Sequence, residues 1–494
     1  MNEAEDGHDA IEWLAVQPWC DGKVGMIGGS YVGWVQLWAA TQQPKHLVTI
    51  IPNVAPPGPF FNIPYEYGVF FIFGAIWWAE ILETNATGDI SGAKFSRIND
   101  RKYEKELLSL PVIDLDTKIL GRKNKYWRAW IKNNTNGSYW DKAKLKEQLK
   151  KVSIPVLLQS GWFDGDGIGS KLNYLSLREG GNKNLKLIIG PWGHTAKASR
   201  RLGETDFGKE AAPDLQVLYL RWFDHWLKGV KNKIMEEPRV QLFTMFSNKW
   251  AKGSDYPLPG TAFTKIYLSS TKGAQSAKGD GRRPFTPPQG GAPCDADTYD
   301  PGDPTPAPDF YFKDSEQLKK EKEGKAVDLK ALRQKRKMNH SVVSAKRKDI
   351  LVYETTPLTK PLTIAGPLSA VLYASSDAKD TDWFVSVSLV QKDGRVRVLG
   401  RGKIRARFRE DMVTPKLLEK DKVYPFTLDL WHTGITFSAG EKLRVEVTSA
   451  AFPIFSRNLN TGGHNEMESK YVKANQKVYH SPKYPSHVVL PVIK

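Results

Sequence analysis

The sequence predicts an α/β domain in the first half of the chain, followed by an all-β sandwich. In the first half, short β-branched runs alternate with helical segments, as in a parallel sheet covered by helices. After about residue 236, many short strands of alternating hydrophobicity follow one another with Gly, Pro and Asp turns between them. At 494 residues the chain is too long for one ordinary core. We therefore expect domains over residues 1–235 and 236–494.

The first elements surround a glycine-flanked serine. An acidic start predicts a short helix before Pro18, an apolar run predicts a strand ending at Gly29, and residues 31–41 predict a buried helix. A serine between such a strand and helix is typical of a nucleophile elbow, whose sharp turn exposes the hydroxyl at the sheet edge. Ser30 is therefore the candidate nucleophile, and the Tyr31 backbone N–H the candidate oxyanion donor. The alternative is a small-residue turn without chemistry.

The next elements predict a second strand and an insertion. Residues 47–51 form a β-branched run, and a Pro-rich turn at 56–59 follows it. A dense aromatic tract at 60–78 then leads into polar helical sequence as far as residue 148. We expect a helical cap over about residues 55–150. Its aromatic side chains either line a pocket or form the cap's own core.

Two further strands are predicted at 154–159 and 185–189, and each precedes a polar loop. Serine hydrolases with an elbow carry Ser, acid and His in that order along the chain. Asp164 follows the first of these strands and His194 the second, so both occupy the expected positions at the sheet edge. Asp166 is the rival acid, but Asp164 directly follows the Trp-Phe pair at the strand end. For His194 the alternative is a surface loop histidine.

The second half predicts strands rather than helices. An amphipathic helix at 213–228 precedes it, and residues 272–346, rich in Gly, Pro and charge, predict a long, poorly ordered insertion. The predicted strands are 240–246, 265–268, 362–364, 370–375, 383–390, 395–407, 424–428 and 442–449.

The net charge of +18 would permit an anionic partner, but no nucleic-acid motif accompanies it. The basic residues are dispersed apart from runs at 319–325, 333–337 and 346–348, which predict a solvated surface loop. We therefore expect no nucleic-acid partner.

No apolar run is long enough to span a membrane, and residues 1–9 are too acidic for a signal peptide, so no membrane partner is expected. Cys20 and Cys294 are expected to be free thiols, and no metal or cofactor is predicted.

Seven stretches together resemble a known family. They are EAEDGHDAIEWLAVQPWCDGKVGMIGGSYVG at 3–33, GWFDGDG at 161–167, GPWGH at 190–194, TDWFVSVSLV at 381–390, GRGKIRARFRE at 400–410, YPFTLDLW at 424–431 and FSRNLNTGG at 455–463. This set resembles the S15-type serine hydrolases of the CocE/NonD group, which includes Xaa-Pro dipeptidyl-peptidases, cocaine esterases and α-amino-acid ester hydrolases.

The resemblance implies an α/β-hydrolase domain with a helical cap and a C-terminal jelly-roll sandwich. It implies Ser30 as nucleophile, His194 as base and Asp164 as the acid that orients the base. In such relatives a tyrosine hydroxyl from a loop before the elbow is the second oxyanion donor. Because the elbow lies at residue 30, we expect an α/β-hydrolase domain that lacks its N-terminal strands.

The resemblance also suggests how substrate is held. Some amino-ester hydrolases of the group bind the substrate ammonium with a carboxylate cluster, and Asp166 lies at a comparable place. The alternative for Asp166 is a loop-capping aspartate. Trp162 and Trp192, in the same two loops, are the other candidate substrate-binding residues.

The function predicted is a serine hydrolase that cleaves a small ester or amide, with an acyl, aminoacyl or dipeptidyl group, through an acyl-enzyme. Its partner is the small-molecule or short-peptide substrate. The alternative is a catalytically impaired fragment or a non-catalytic binding protein of the same fold. Homo-oligomerisation, esterase against peptidase preference and compartment stay open, although relatives are often exported.

Overall fold

A computed structural model describes residues 2–85, 98, 100–282, 285–289, 293–307, 310, 319–320 and 344–494. Outside these residues lie the predicted basic run at 333–337, residues 321–325 of the run predicted at 319–325, and much of the predicted insertion. Cys20 and Cys294 are free thiols. Within the described ranges, no helix has the length and apolar character that crossing a membrane requires.

The α-helices precede β1, connect strands of the first sheet or lie within the cap. They are α1 (Glu3–Ala15), α2 (Tyr31–Thr41), α3 (Ile72–Asn85), α4 (Glu104–Leu107), α5 (Lys125–Lys132), α6 (Leu145–Leu149), α7 (Gly167–Glu179) and α8 (Leu215–Trp226).

The strands fall into an N-terminal group and a C-terminal group. They are β1 (Val24–Gly29), β2 (Leu47–Asn53), β3 (Tyr65–Glu66), β4 (Val69–Phe70), β5 (Val156–Gly161), β6 (Leu185–Gly190), β7 (Arg201–Leu202), β8 (Thr205–Asp206), β9 (Val240–Thr244), β10 (Lys249–Gly253), β11 (Ala262–Tyr267), β12 (Cys294–Tyr299), β13 (Leu351–Glu354), β14 (Leu362–Ser376), β15 (Asp382–Val390), β16 (Val396–Arg405), β17 (Tyr424–Phe437), β18 (Lys442–Thr448), β19 (Ala474–Tyr479) and β20 (His487–Val492).

The first sheet has the order β1-β2-β5-β6-β9-β10, with every pair parallel except β9–β10. Strands β5 and β6 are buried at every residue, as expected for a parallel sheet covered on both faces. On one face α2 packs against α1 so closely that a Cβ on Gly7 would lie 2.7 Å from Ala39 Cβ. On the other, Trp222 of α8 donates a hydrogen bond of 2.7 Å to Thr49 Oγ1 in β2. The carboxyl ends of β1, β2, β5 and β6 therefore meet at one edge of the sheet.

Strands β9 and β10 belong to the first sheet rather than to the sandwich. Residues 240–246 were expected to begin the sandwich, but β9 pairs in parallel with β6 and β10 extends the same sheet. Strand β9 begins Val-Gln-Leu, an alternation in sequence that strands of a sandwich share, although four of its five residues are buried.

The cap has a hydrophobic core of its own. Phe60, Tyr65 and Phe70 are buried there with Trp127 and Trp140. Phe60 stacks on Tyr65 with 4.9 Å between ring centroids. Of the two interpretations of the aromatic tract, the cap-core one therefore holds for these rings.

Two antiparallel sheets form the sandwich. One has the order β11-β20-β14-β19-β12, with β17 also paired to β14, and the other β13-β18-β15-β16. The predicted strands at 362–364 and 370–375 are one strand, β14, whose register shifts between Pro367 and Ser369. The irregularity at this shift explains why the sequence pattern is interrupted there.

The predicted insertion is in part a strand. β12 pairs with β19, and its Asp295 accepts hydrogen bonds from Ser270 at 2.7 Å and Tyr353 at 2.8 Å. The expectation of poor order over 272–346 is therefore wrong for this segment. Three polar residues in CDADTY, placed just after a Gly-Pro stretch, concealed the strand.

The sandwich packs against α7 and the cap. Lys171 of α7, almost fully buried, pairs with Asp429 of β17, and Tyr67 of the cap donates to the same carboxylate at 3.0 Å. Trp431 Nε1 donates to Glu66 at 2.8 Å. These contacts hold three parts of the chain together beside the loop that starts α7.

Candidate active site

Ser30 lies at the turn between β1 and α2. Its φ of 61° and ψ of −130° place it in a strained region for a residue with a side chain, at a cost of about 1–3 kcal/mol. The backbone around it is tightly bonded: Ser30 N–H donates to Asn53 O at 3.0 Å, and Trp34 N–H donates to Ser30 O at 2.9 Å. The strained turn is therefore fixed by its surroundings, as a nucleophile elbow requires.

The glycines of the elbow are required by close backbone approach. A Cβ on Gly33 would lie 2.8 Å from Asn53 O and 3.1 Å from Gly28 O. A Cβ on Gly28 would lie 2.9 Å from Val32 Cγ2. The pattern GGSYVG thus follows from sterics at this turn.

Tyr31 is the first residue of α2, so its backbone N–H precedes the hydrogen-bond ladder of the helix. Its side chain points elsewhere: the phenol donates to Glu3 Oε1 at 2.8 Å. Burial and the carboxylate of Glu3 raise the pKa of Tyr31, so the phenol stays protonated. The backbone N–H is the part of Tyr31 that can serve an oxyanion beside Ser30.

Asp164 follows β5 and is buried. It accepts three hydrogen bonds: Oδ1 from His194 Nδ1 at 2.6 Å and from Asp166 N–H at 2.9 Å, and Oδ2 from Ser160 Oγ at 2.6 Å. Three donors hold the carboxylate in one orientation. Of the two rival acids, Asp164 is the one in hydrogen-bond contact with the imidazole.

His194 follows β6 and leaves 42% of its side chain exposed. The hydrogen bond to Asp164 raises the pKa of His194 and outweighs the opposing effect of burial. Because Nδ1–H is donated to a carboxylate, Nε2 carries the lone pair of the neutral ring. Nε2 is thus the atom that can take a proton.

The structure brings Asp164 and His194 into hydrogen-bond contact. His194 and Ser30 are both among the described residues, and no hydrogen bond joins them. The two residues follow β6 and β1, which lie three strand positions apart at the same sheet edge, about 14 Å at the usual strand spacing. His194 contacts Asp164, which follows β5, the strand next to β6 in the sheet. Hydrogen bonds of this kind are often long before substrate binds.

Asn62 is a site residue that sequence reasoning missed. It is buried, and its Nδ2 donates to Asp166 Oδ1 at 2.7 Å and to Gly165 O at 3.2 Å. Asp166 Oδ2 lies 3.8 Å from His194 Nδ1. Burial and the negative charge of Asp164 raise the pKa of Asp166 to about 7, although His194 and Asn62 act in the opposite direction. No sequence motif marks Asn62, because its partner is 104 residues away.

Trp162 and Trp192 lie beneath the two loops rather than at their surface. Both are buried, and their Nε1 atoms donate to Phe243 O and Ala211 O, each at 2.7 Å. Both indoles are therefore enclosed by the packing beneath the loops, and their expected role in substrate binding stays a prediction. Their packing supports the strand ends from which the loops emerge.

Two family profiles and a curated protein match this chain. The profile of X-Pro dipeptidyl-peptidase (S15 family) matches residues 1–196. The profile of the X-Pro dipeptidyl-peptidase C-terminal non-catalytic domain matches residues 232–489, more than half of the chain. Cocaine esterase from Rhodococcus sp. (strain MB1 Bresler) is 30% identical over 511 residues, which cover 100% of this chain and 85% of that protein.

The chain belongs to the S15 family of serine hydrolases. The resemblance found in the sequence is thus confirmed, and this S15 protein is an enzyme of the hydrolase class. Its relatives include esterases and X-Pro dipeptidyl-peptidases.

Solved structures show the same fold. An aminopeptidase from a marine sediment archaeon, Thaumarchaeota archaeon, matches with a TM-score of 0.81 at 23% identity over 100% of this chain and 80% of that one. An α-amino acid ester hydrolase matches with a TM-score of 0.78 at 24% identity over the same shares. The predicted α/β-hydrolase domain with a C-terminal all-β sandwich is confirmed for this S15 hydrolase.

Proposed function

We propose that this S15 hydrolase cleaves small esters or amides through an acyl-enzyme on Ser30, with His194 as base and Asp164 as its orienting acid. The observation that carries the proposal is the 2.6 Å hydrogen bond from His194 Nδ1 to Asp164, made on the same sheet edge as the strained Ser30 turn. A serine hydroxyl is a weak nucleophile at neutral pH and needs such a base.

In the first half-reaction Ser30 Oγ attacks the substrate carbonyl carbon while its proton passes to His194 Nε2. The carbonyl oxygen becomes an oxyanion that accepts a hydrogen bond from the Tyr31 backbone N–H. The imidazolium, stabilised by Asp164, then gives the proton to the leaving oxygen or nitrogen as its bond to carbon breaks. General base catalysis of this kind contributes about 10²–10⁴-fold.

In the second half-reaction water replaces the leaving group. His194 Nε2 takes a proton from water, the hydroxide attacks the acyl carbon, and Ser30 Oγ leaves with the proton returned by His194. Asp164 holds the imidazole and stabilises its charge without taking the proton.

The substrate proposed is a small molecule or short peptide with an acyl, aminoacyl or dipeptidyl group. Asp166 is proposed to border the site, because its carboxylate lies 3.8 Å from His194 Nδ1. An ammonium group on the substrate would be one partner for that carboxylate.

The test is turnover of p-nitrophenyl acetate, an alanine p-nitrophenyl ester and glycyl-prolyl-p-nitroanilide by the wild-type chain, Ser30→Ala and Ser199→Ala. Ser199 lies in the loop after His194 and donates to a backbone carbonyl at 2.9 Å, so it is a matched control serine. We expect loss of hydrolysis in Ser30→Ala alone. Equal rates for all three proteins on every substrate, with circular dichroism showing folded protein, would contradict the proposal.

A further inference from the structure

Two carboxylates face the same nitrogen of His194. Asp164 Oδ1 lies 2.6 Å from Nδ1, and Asp166 Oδ2 lies 3.8 Å from it. The usual arrangement of a base and its orienting acid needs only the first. The carboxylate of Asp166 therefore either acts on His194 or stabilises the loop.

Asp166 is fixed from two directions. Its backbone N–H donates to Asp164 Oδ1 at 2.9 Å, and its Oδ1 accepts from Asn62 Nδ2 at 2.7 Å. Asn62 lies in a different part of the chain, after β2, and is itself buried. With Oδ1 held by Asn62, Oδ2 is the oxygen that faces the imidazole. A solvated loop aspartate would not need a buried amide from another segment to hold it.

We propose that Asp166 is a positioning residue for the base: its carboxylate, held by Asn62, stabilises the His194 imidazolium together with Asp164. This inference rests on the proposed role of His194 and deepens it. An opposite charge within about 4–6 Å favours the charged form of an ionisable group. Asp166 therefore makes His194 a stronger base and lowers the barrier to the step in which the imidazolium forms.

Among the residues that the structure describes, Asp164 and His194 are the charged or titratable groups that face Asp166, and neutral Asn62 also contacts it. In the same part of the chain, His194 faces the carboxylates of Asp164 and Asp166. The pKa of Asp166 is raised to about 7, and the hydrogen bond to Asp164 raises the pKa of His194, so the proton equilibria of both groups affect the acid side of the activity profile. The acid limb of activity then reports the Asp166–His194 pair rather than one histidine.

Removing the negative charge of Asp166 is expected to shift the pH dependence of activity in a defined direction. In Asp166→Asn the imidazolium loses one of its two anionic neighbours, so His194 gives up its proton at lower pH. The acid limb of kcat/KM moves down by about one pH unit, and the plateau kcat falls by up to about tenfold, since one pH unit corresponds to tenfold in stabilisation of the imidazolium. The fall is the same for substrates with and without an amino group.

The experiment compares wild type, Asp166→Asn and Asn62→Ala. Kinetics use p-nitrophenyl acetate and an alanine p-nitrophenyl ester from pH 5 to pH 9, and ¹³Cε1-histidine NMR follows the His194 resonance, assigned by its loss in His194→Gln. We expect Asp166→Asn to lower both the acid limb and the titration midpoint of His194. Asn62→Ala, which keeps both carboxylates but frees Asp166 to turn away, is expected to shift both in the same direction by less.

Two results would overturn the inference. If Asp166→Asn raised the KM for the alanine ester alone and left the acid limb of kcat/KM and the His194 midpoint unchanged, Asp166 would be an ammonium-binding residue. If the acid limb of kcat/KM, the titration midpoint of His194 and the KM were all unchanged, Asp166 would be a loop-capping aspartate. The NMR titration needs no turnover, so it decides the effect of Asp166 on His194 even if Ser30 proves not to carry the reaction.

Discussion

Replacing Asp164 with asparagine isolates the charge of the orienting acid from its geometry. Oδ1 of Asp164 accepts both His194 Nδ1–H and the backbone N–H of Asp166, whereas Oδ2 accepts only the hydroxyl of Ser160. An asparagine therefore places its oxygen at Oδ1 and its NH₂ toward Ser160, whose hydroxyl can turn to accept. The correct imidazole tautomer is kept, and the negative charge is lost.

The expected loss follows from Coulomb's law. A carboxylate and an imidazolium about 4 Å apart, centre to centre, interact with about 4 kcal/mol at an effective dielectric constant near 20. At 1.36 kcal/mol per factor of ten, this predicts a loss of about 10³-fold in kcat. The exposed side of His194 admits water, so about 10²-fold is the lower bound we expect.

The assay is kcat and KM on p-nitrophenyl acetate across pH, with Asp206→Asn as control. Asp206 lies in the hairpin after His194 and bonds the exposed side chains of Arg200 and Arg201, so its loss is expected to change kcat by less than about threefold. A loss below tenfold in Asp164→Asn, with folding intact by circular dichroism, would refute the assignment of Asp164 as the orienting acid.

Two further predictions concern the base and the elbow. Asp164 raises the pKa of His194, and the base must be neutral to take a proton. We therefore expect kcat/KM to fall with decreasing pH through a midpoint above the ordinary imidazole pKa of 6.5. An acid limb of kcat/KM below that value would contradict this prediction. Gly33→Ala places a Cβ 2.8 Å from a backbone oxygen of β2, so we expect about 1–3 kcal/mol of destabilisation in urea unfolding and loss of hydrolysis. Gly165→Ala, where the added Cβ meets nothing within 4 Å, is its control, and equal stability of the two variants would count against the steric account of the elbow.

The elements that sequence reasoning predicted well are those governed by local physics. The helix at 31–41 has the predicted bounds, because its start is set by the elbow and no Gly or Pro follows Gly33 within it. Asp164 and His194 were found because parallel strands end at one sheet edge, so each strand end is a defined place to look for a polar side chain. Their mutual contact bears out that reasoning, whereas their catalytic roles stay predictions.

The features that were missed depend on tertiary contacts. Asn62 lies 104 residues from its partner Asp166, and nothing in its own sequence context marks it. Trp162 and Trp192 share a sequence context with the site loops, but burial inside the fold decides that they pack beneath those loops. β12 is polar at half of its positions and is a strand because β19 pairs with it. Pairing and burial of this kind are set by the whole fold.

The most direct test of the central claim is to identify the residue that a fluorophosphonate probe modifies. The wild-type chain is labelled, digested and mapped by mass spectrometry beside Ser30→Ala and Ser199→Ala. We expect one adduct, on the peptide that contains Ser30. This adduct should be present in wild type and Ser199→Ala and missing in Ser30→Ala. An adduct that persists in Ser30→Ala, or folded wild-type protein that takes up no probe, would contradict this claim.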